Sequence, residues 1–200
     1  MQESSPPSCV LALLRAILAR RYVAHRLYDL ASRLCDLVLC ADDAATRDAA
    51  AGLVCQFLLT YPLGDGRVQE RLQFVVTNVG YARADGRRSL LRLYAQLVRK
   101  LPPGAIVRWH QLLFVPLVPR LHEDPDGACR KAAAATLDAL IRRLAPPHGD
   151  ARDGGRALGS VLRLTLLWYH GADGELRYAR MRARVCVCAC VCVCVCVCVC

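Results

Sequence analysis

The sequence predicts an all-α fold, built of antiparallel helix pairs stacked as a solenoid. Three observations carry this expectation. Apolar residues recur at helical spacing through nearly the whole body of the chain. Prolines punctuate these segments at Pro62, at Pro102-Pro103 and at Pro146-Pro147. The helix starts between them recur with one period of about 42 residues.

In chain order the pattern predicts helices over 9–22, 24–40, 44–60, 67–80, 87–101, 105–121, 128–145 and 155–169. The fifth shows the signal clearly: Leu90, Leu91, Leu93, Tyr94, Leu97 and Val98 form one broad stripe. In the seventh, Ala133, Leu137, Leu140, Ile141 and Leu144 do the same. Proline stops a helix because it lacks the amide donor and restrains the residue before it. FVPLVPRL, with Pro116 and Pro119 inside the sixth segment, therefore predicts a kink or a stop near Leu113. No strand is expected in the body.

The starts DDAATRDAA, DGRRSLL and DPDGACRKAA each set an aspartate three or four residues before an arginine. Asp43, Asp85 and Asp126 are 42 and 41 apart; Arg47, Arg88 and Arg130 are 41 and 42 apart. An aspartate in the turn can cap the next helix and favours its positive end. The arginine can reach the aspartate of a neighbouring repeat, which makes Asp43, Asp85 and Asp126 a candidate ladder. Ala49, Ala50, Ala132 and Ala133 allow close helix packing. A helix pair of this size cannot bury its apolar face alone, so pairs stack. The period falls in the 40–47 range of HEAT repeats. The expected organisation is a disordered start over 1–8, a HEAT-type segment of about four helix pairs over 9–177, and a separate tail over 178–200.

That tail ends VCVCACVCVCVCVCVC. Metal sites need spaced ligand pairs, and disulfide frameworks need varied spacing; strict alternation supplies neither. A GT-repeat tract, however, translates as Val-Cys in every forward frame, and YARMRARV before it fits a decayed stretch of the same tract. The tail thus reads as a translated dinucleotide repeat and a non-native, low-complexity, aggregation-prone segment. It holds eight of the 13 cysteines. Cys9, Cys35, Cys40, Cys55 and Cys129 form no CxxC pair and read as small buried residues in a reducing compartment.

The formal charge is +10, three units of it from Arg180, Arg182 and Arg184, so the body is basic and suits an anionic partner. No apolar run is long enough to span a membrane, and no secretory signal is evident at the start. His25, His110, His122, His148 and His170 are scattered outside any ligand motif. LGDGR and HGADGE lack the phosphate-loop lysine and fit turns. No catalytic residue, cofactor, metal or small-molecule substrate is expected. Trp109 and Trp168 fit a core better than a stacking platform. Arginines concentrate instead around the fifth helix. Arg88, Arg92 and Arg99 are spaced four and seven apart, and Arg47, Arg130 and Lys131 extend the stripe. Two readings stand: an RNA-phosphate surface with salt-sensitive affinity, or a solvated face with an Asp–Arg ladder.

The run CQFLLTYPLGDGRVQERLQFVVTNVGYARADGRRSLLRLYAQL resembles the giant HEAT-repeat, U-three small nucleolar RNA-associated scaffold family of the small-subunit processome. The matching features are the Tyr61-Pro62-Leu63-Gly64 turn, Asn78 to Tyr81, and the Gly86-Arg87 start. FVPLVPRLHEDPDGACRKAAAATLDAL resembles the next unit, and LLRAILARRYVAHRLYDLASRL the preceding helices. The resemblance covers about residues 9–145, and more weakly to about 169, and implies an internal segment of a longer chain. It implies a non-catalytic scaffold of the nucleus and nucleolus, acting in ribosome biogenesis and pre-ribosomal RNA processing. The implied partners are other processome proteins, the pre-ribosomal RNA and the U-three particle. A HEAT adaptor of another class, in nuclear transport or as a phosphatase scaffold, is the alternative.

Overall fold

The computed structural model describes residues 8–145 and 151–170. The expectations for the first residues, for Pro146-Pro147 and His148, and for the Val-Cys tail lie outside the described residues. All regular structure among those described is helical: α1 Ser8–Ala19, α2 His25–Cys40, α3 Ala44–Thr60, α4 Asp65–Thr77, α5 Ala84–Lys100, α6 Pro103–Arg108, α7 His110–Phe114, α8 Leu117–Glu123, α9 Gly127–Leu144 and α10 Ala151–His170. A 3₁₀ turn over Asn78–Gly80 finishes α4. None of these helices is long and apolar enough to cross a membrane. The chain divides into two compact units, with the boundary between Leu97 and Val98, inside α5.

In the first unit, α2 and α3 form an antiparallel pair joined by residues 41–43, and α1 packs on α3. The alanine-rich start of α3 makes this close approach possible, with Ala50 and Ala51 buried beside Leu53, Val54 and Phe57. Leu72, Leu90, Leu91, Leu93 and Tyr94 are likewise sealed from solvent. Each such leucine contributes about 2 kcal/mol of burial free energy. In the second unit, α9 packs against α6, α7, α8 and α10. Its buried stripe of Cys129, Ala133, Leu137, Leu140, Ile141 and Leu144 closes on a core that includes Ile106, Leu113, Phe114 and Leu117.

Several helix bounds differ from the periodicity by a few residues, with α4 starting at Asp65, α5 at Ala84 and α10 at Ala151, and two segments differ for a visible reason. The first helix stops at Ala19, because Arg21 takes a left-handed φ of 53° that ends the helical path. The sixth predicted helix is three short ones. Trp109 breaks the first junction at φ −107°, and Pro116 precedes α8. The expected stop near Leu113 is present: α7 ends at Phe114, and the chain resumes as α8 after Pro116. Pro119 sits in the first turn of α8, where the missing amide hydrogen costs nothing.

Candidate functional site

The helix starts carry the polar architecture. Asp43 is the N-cap of α3, accepting from the Thr46 N–H at 2.8 Å and from its hydroxyl at 2.9 Å. These bonds to the ionised form hold its carboxyl below the ordinary range. Asp126 caps α9 in the same way, accepting from the Cys129 N–H at 2.9 Å. Asp85 lies inside the first turn of α5, where it faces Arg88 at 3.4 Å. Two of the three periodic aspartates thus stand at equivalent N-caps, and the third stands further into its helix.

The arginines follow a register of their own. Arg47 donates through one terminal nitrogen to the carbonyls of Ala41, at 2.6 Å, and Asp42, at 2.8 Å. Arg130 donates to Asp124 and Pro125 in the same relation, at 2.7 and 3.2 Å. In α5 the matching bonds, to Tyr81 and Ala82 at 2.8 Å each, come from Arg87. Arg88, the residue at regular spacing, is exposed. The recurring device is a guanidinium folded back over the carbonyls five and six residues earlier. It satisfies backbone acceptors left over by the preceding turn.

Long side-chain bonds in the first unit share the repeat length. Arg92 pairs with Asp48 at 3.0 Å and Arg83 with Asp42 at 3.2 Å. Arg71 donates to Ser32 at 2.8 Å, and Gln56 to the Arg15 carbonyl at 3.4 Å. A ladder between repeats is present here, but its carboxylates are Asp42 and Asp48. In the second unit Arg143 donates to the carbonyls of Val98, Arg99 and Leu101, where α5 ends and the next turn begins. Periodicity alone singles out neither Arg87 nor Arg143. Arg87 stands 40 residues after Arg47 and 43 before Arg130, offsets nearly as regular as those of Arg88.

The predicted basic stripe is accordingly divided. Arg47 is buried at 6% exposure and Arg130 is half-buried against its own turn. Arg92 is held by Asp48 and Ser89, and Arg88 by Asp85. Arg99 in the last turn of α5 and Lys131 on α9 are exposed.

No group of three or more potential metal ligands converges among the described residues. Cys35, Cys55 and Cys129 are buried as expected, and burial pushes the Cys35 thiol up to about 12. Cys9 and Cys40 are instead exposed, Cys40 lying 3.3 Å from the Tyr81 hydroxyl. Trp109 is buried. His110 stands 2.6 Å from the Val107 carbonyl through Nδ1, which places the ring proton there.

No family model matches the chain. The chain is similar to U3 small nucleolar RNA-associated protein 20. It is 27% identical over 143 residues to the protein of that name from Schizosaccharomyces pombe, and 24% identical over 144 residues to that from Saccharomyces cerevisiae. Each match covers 72% of this chain and 6% of the relative, so the chain spans a small fraction of these relatives' length. Two crystal structures of engineered proteins also align with it. One has a TM-score of 0.45 at 14% identity, covering 92% of this chain and 45% of that one. The other has a TM-score of 0.41 at 13% identity, covering 94% of both chains.

Proposed function

We propose that this chain is a non-catalytic scaffold segment acting in ribosome biogenesis, within the nucleolar particle that processes pre-ribosomal RNA for the small subunit. The observation that carries the reading is the 27% identity to a U3 small nucleolar RNA-associated protein, sustained over 143 residues. A likeness of that length spans several helix pairs rather than one catalytic motif. The arrangement of polar groups adds a physical reason for such a role. Polar side chains near the helix starts close turns and tie one repeat to the next, an arrangement that suits a scaffold. The partners on this reading are other proteins of the particle and the U3-associated pre-ribosomal RNA.

The test is association in cells. A tagged chain is expected to co-sediment with pre-ribosomal particles in a nuclear extract and to crosslink to pre-ribosomal RNA. Recovery with transport receptors or a phosphatase, and with no pre-ribosomal RNA, would favour an adaptor of another class. For the predicted stripe, Arg88→Glu with Arg92→Glu is the direct probe. An RNA surface there predicts weaker binding and a shallower salt dependence, by about 0.7 in log–log slope for each phosphate no longer neutralised on a single strand. A solvated face predicts no change.

A further inference from the structure

In the first unit Arg47, Arg71, Arg83, Arg87 and Arg92 are occupied by carbonyls, hydroxyls or carboxylates. The turn between α1 and α2 is different. Arg20, Arg21 and Arg26 are exposed and form no ion pair among the described residues. Between them stand Tyr22, at 67% exposure, and Val23, at 58%. Residues 20–33 carry Arg20, Arg21, Arg26 and Arg33 against the single acid Asp29.

This turn is also held in place. The Ala24 N–H donates to the Tyr61 hydroxyl at 3.0 Å. Tyr61 stacks on Phe57 with ring centroids 4.7 Å apart, and Tyr28 meets Tyr61 edge-on at 5.5 Å. The Arg67 guanidinium lies 3.9 Å above the centre of the Tyr28 ring, and His25 meets Tyr28 at 6.3 Å. The turn is strained as well. Arg21 ends α1 in the left-handed region at φ 53°, where glycine is ordinary and a β-carbon costs free energy. An arginine at such a position points to a use for its charge.

We propose that this turn is a binding surface for single-stranded RNA, with Tyr22 as a stacking platform and Arg20, Arg21 and Arg26 as phosphate contacts. Exposed aromatic rings set among unpaired guanidinium groups bind unstacked bases and their phosphates together. A duplex hides its base faces and offers Tyr22 nothing. An acidic peptide can meet the arginines but does not reward the ring in the same way. Anchoring by Tyr61 fixes the backbone before binding, so less ordering entropy is lost. The proposal rests on the ribosome-biogenesis reading and extends it by naming a surface for its RNA.

The experiment is fluorescence anisotropy on the full chain with labelled oligouridine, an RNA duplex of equal length, and polyglutamate. Tyr22→Ala is expected to weaken oligouridine binding roughly 5- to 100-fold while leaving the salt slope unchanged, and Tyr22→Phe to restore it. Arg21→Gly is expected to weaken binding and lower the salt slope by about 0.7, with the thermal midpoint unchanged or raised because strain is relieved. That pairing of weaker binding with undiminished stability separates a binding residue from a folding defect. Unchanged oligouridine affinity in both Tyr22→Ala and Arg21→Gly overturns the proposal. Polyglutamate binding as tight as oligouridine, and equally reduced by Tyr22→Ala, overturns it in favour of an acidic protein partner. Co-sedimentation with pre-ribosomal particles that is indifferent to Tyr22, alongside unchanged oligouridine affinity, overturns this surface and leaves the scaffold reading in place.

Discussion

Arg47 donates from Nε to the Oγ of Ser89 at 3.1 Å, across 42 positions of the chain, and both side chains are buried. One guanidinium thus closes its own turn through Ala41 and Asp42 and reaches the next repeat. Arg47→Met removes the donor for these three acceptors, and a loss of about 3 kcal/mol is expected in urea denaturation. Arg47→Lys restores only part of this, since an ammonium lacks the planar fork. Ser89→Ala should cost about 1 kcal/mol. A loss under about 0.5 kcal/mol for Arg47→Met would place the residue among ordinary surface positions and refute the assignment.

Arg87 and Arg88 are neighbours with opposite expectations. Arg87 is buried and serves two carbonyls, so Arg87→Ala is expected to cost about 2 kcal/mol. Arg88→Ala removes an exposed pair with Asp85 and should stay within about 0.5 kcal/mol. Comparing the two denaturation midpoints reads the register of the repeat directly. Reversal of their order would return the repeat position to Arg88.

Gly86 is required for close packing rather than for its backbone angle. A β-carbon there would lie 2.5 Å from the Leu39 carbonyl oxygen and 2.8 Å from the Tyr81 ring. Gly86→Ala is expected to destabilise by about 2 kcal/mol, a typical overpacking cost. Gly104, in α6, has nothing within 4 Å of the same site. Gly104→Ala should be neutral or stabilising by up to about 1 kcal/mol. Thermal melts of the pair check both signs.

The Asp43 cap makes stability depend on acid. Its folded-state pKa is depressed, so its charged form contributes fully above the unfolded value of about 3.9 and is lost as pH falls through the folded value. The Asp43→Asn variant keeps a cap that does not titrate. The stability gap between the parent and this variant should therefore be flat from about pH 7 to about pH 5 and close progressively below that. Urea midpoints of both proteins across this range measure it; a gap that persists at the acid end would contradict the assignment.

The described thiols divide by exposure. Cys9 and Cys40 should react with a maleimide in the folded protein. Cys35, whose thiol is pushed up to about 12 by burial, should label only on unfolding, together with Cys55 and Cys129. Peptide mapping after brief labelling at neutral pH resolves the sites. Early labelling of Cys35 would show that its helix opens locally.

Helix class, pairing and approximate bounds were legible in the chain because they rest on local periodicity. Leu90, Leu91, Leu93, Tyr94 and Leu97 read as one stripe and are buried as one stripe. The capping roles of Asp43 and Asp126 were legible for the same reason: a cap bonds an amide three residues away. The candidate site was far less so. Arg88 fits the sequence period as well as Arg87 does, and only the path of the preceding turn places one of them over its carbonyls.

By itself, then, the sequence determined what is decided within a helix turn: helical spacing, proline punctuation, aspartate caps and a repeat length near 42. Only the tertiary structure decided which guanidinium groups were spent. Arg47 is buried against Ser89, Arg92 is taken by Asp48, and the exposed turn of Arg20, Arg21 and Tyr22 is pinned through Ala24 to Tyr61. The reason is physical. A charge is committed or available according to the acceptors that distant segments bring to it, and no local pattern records their arrival.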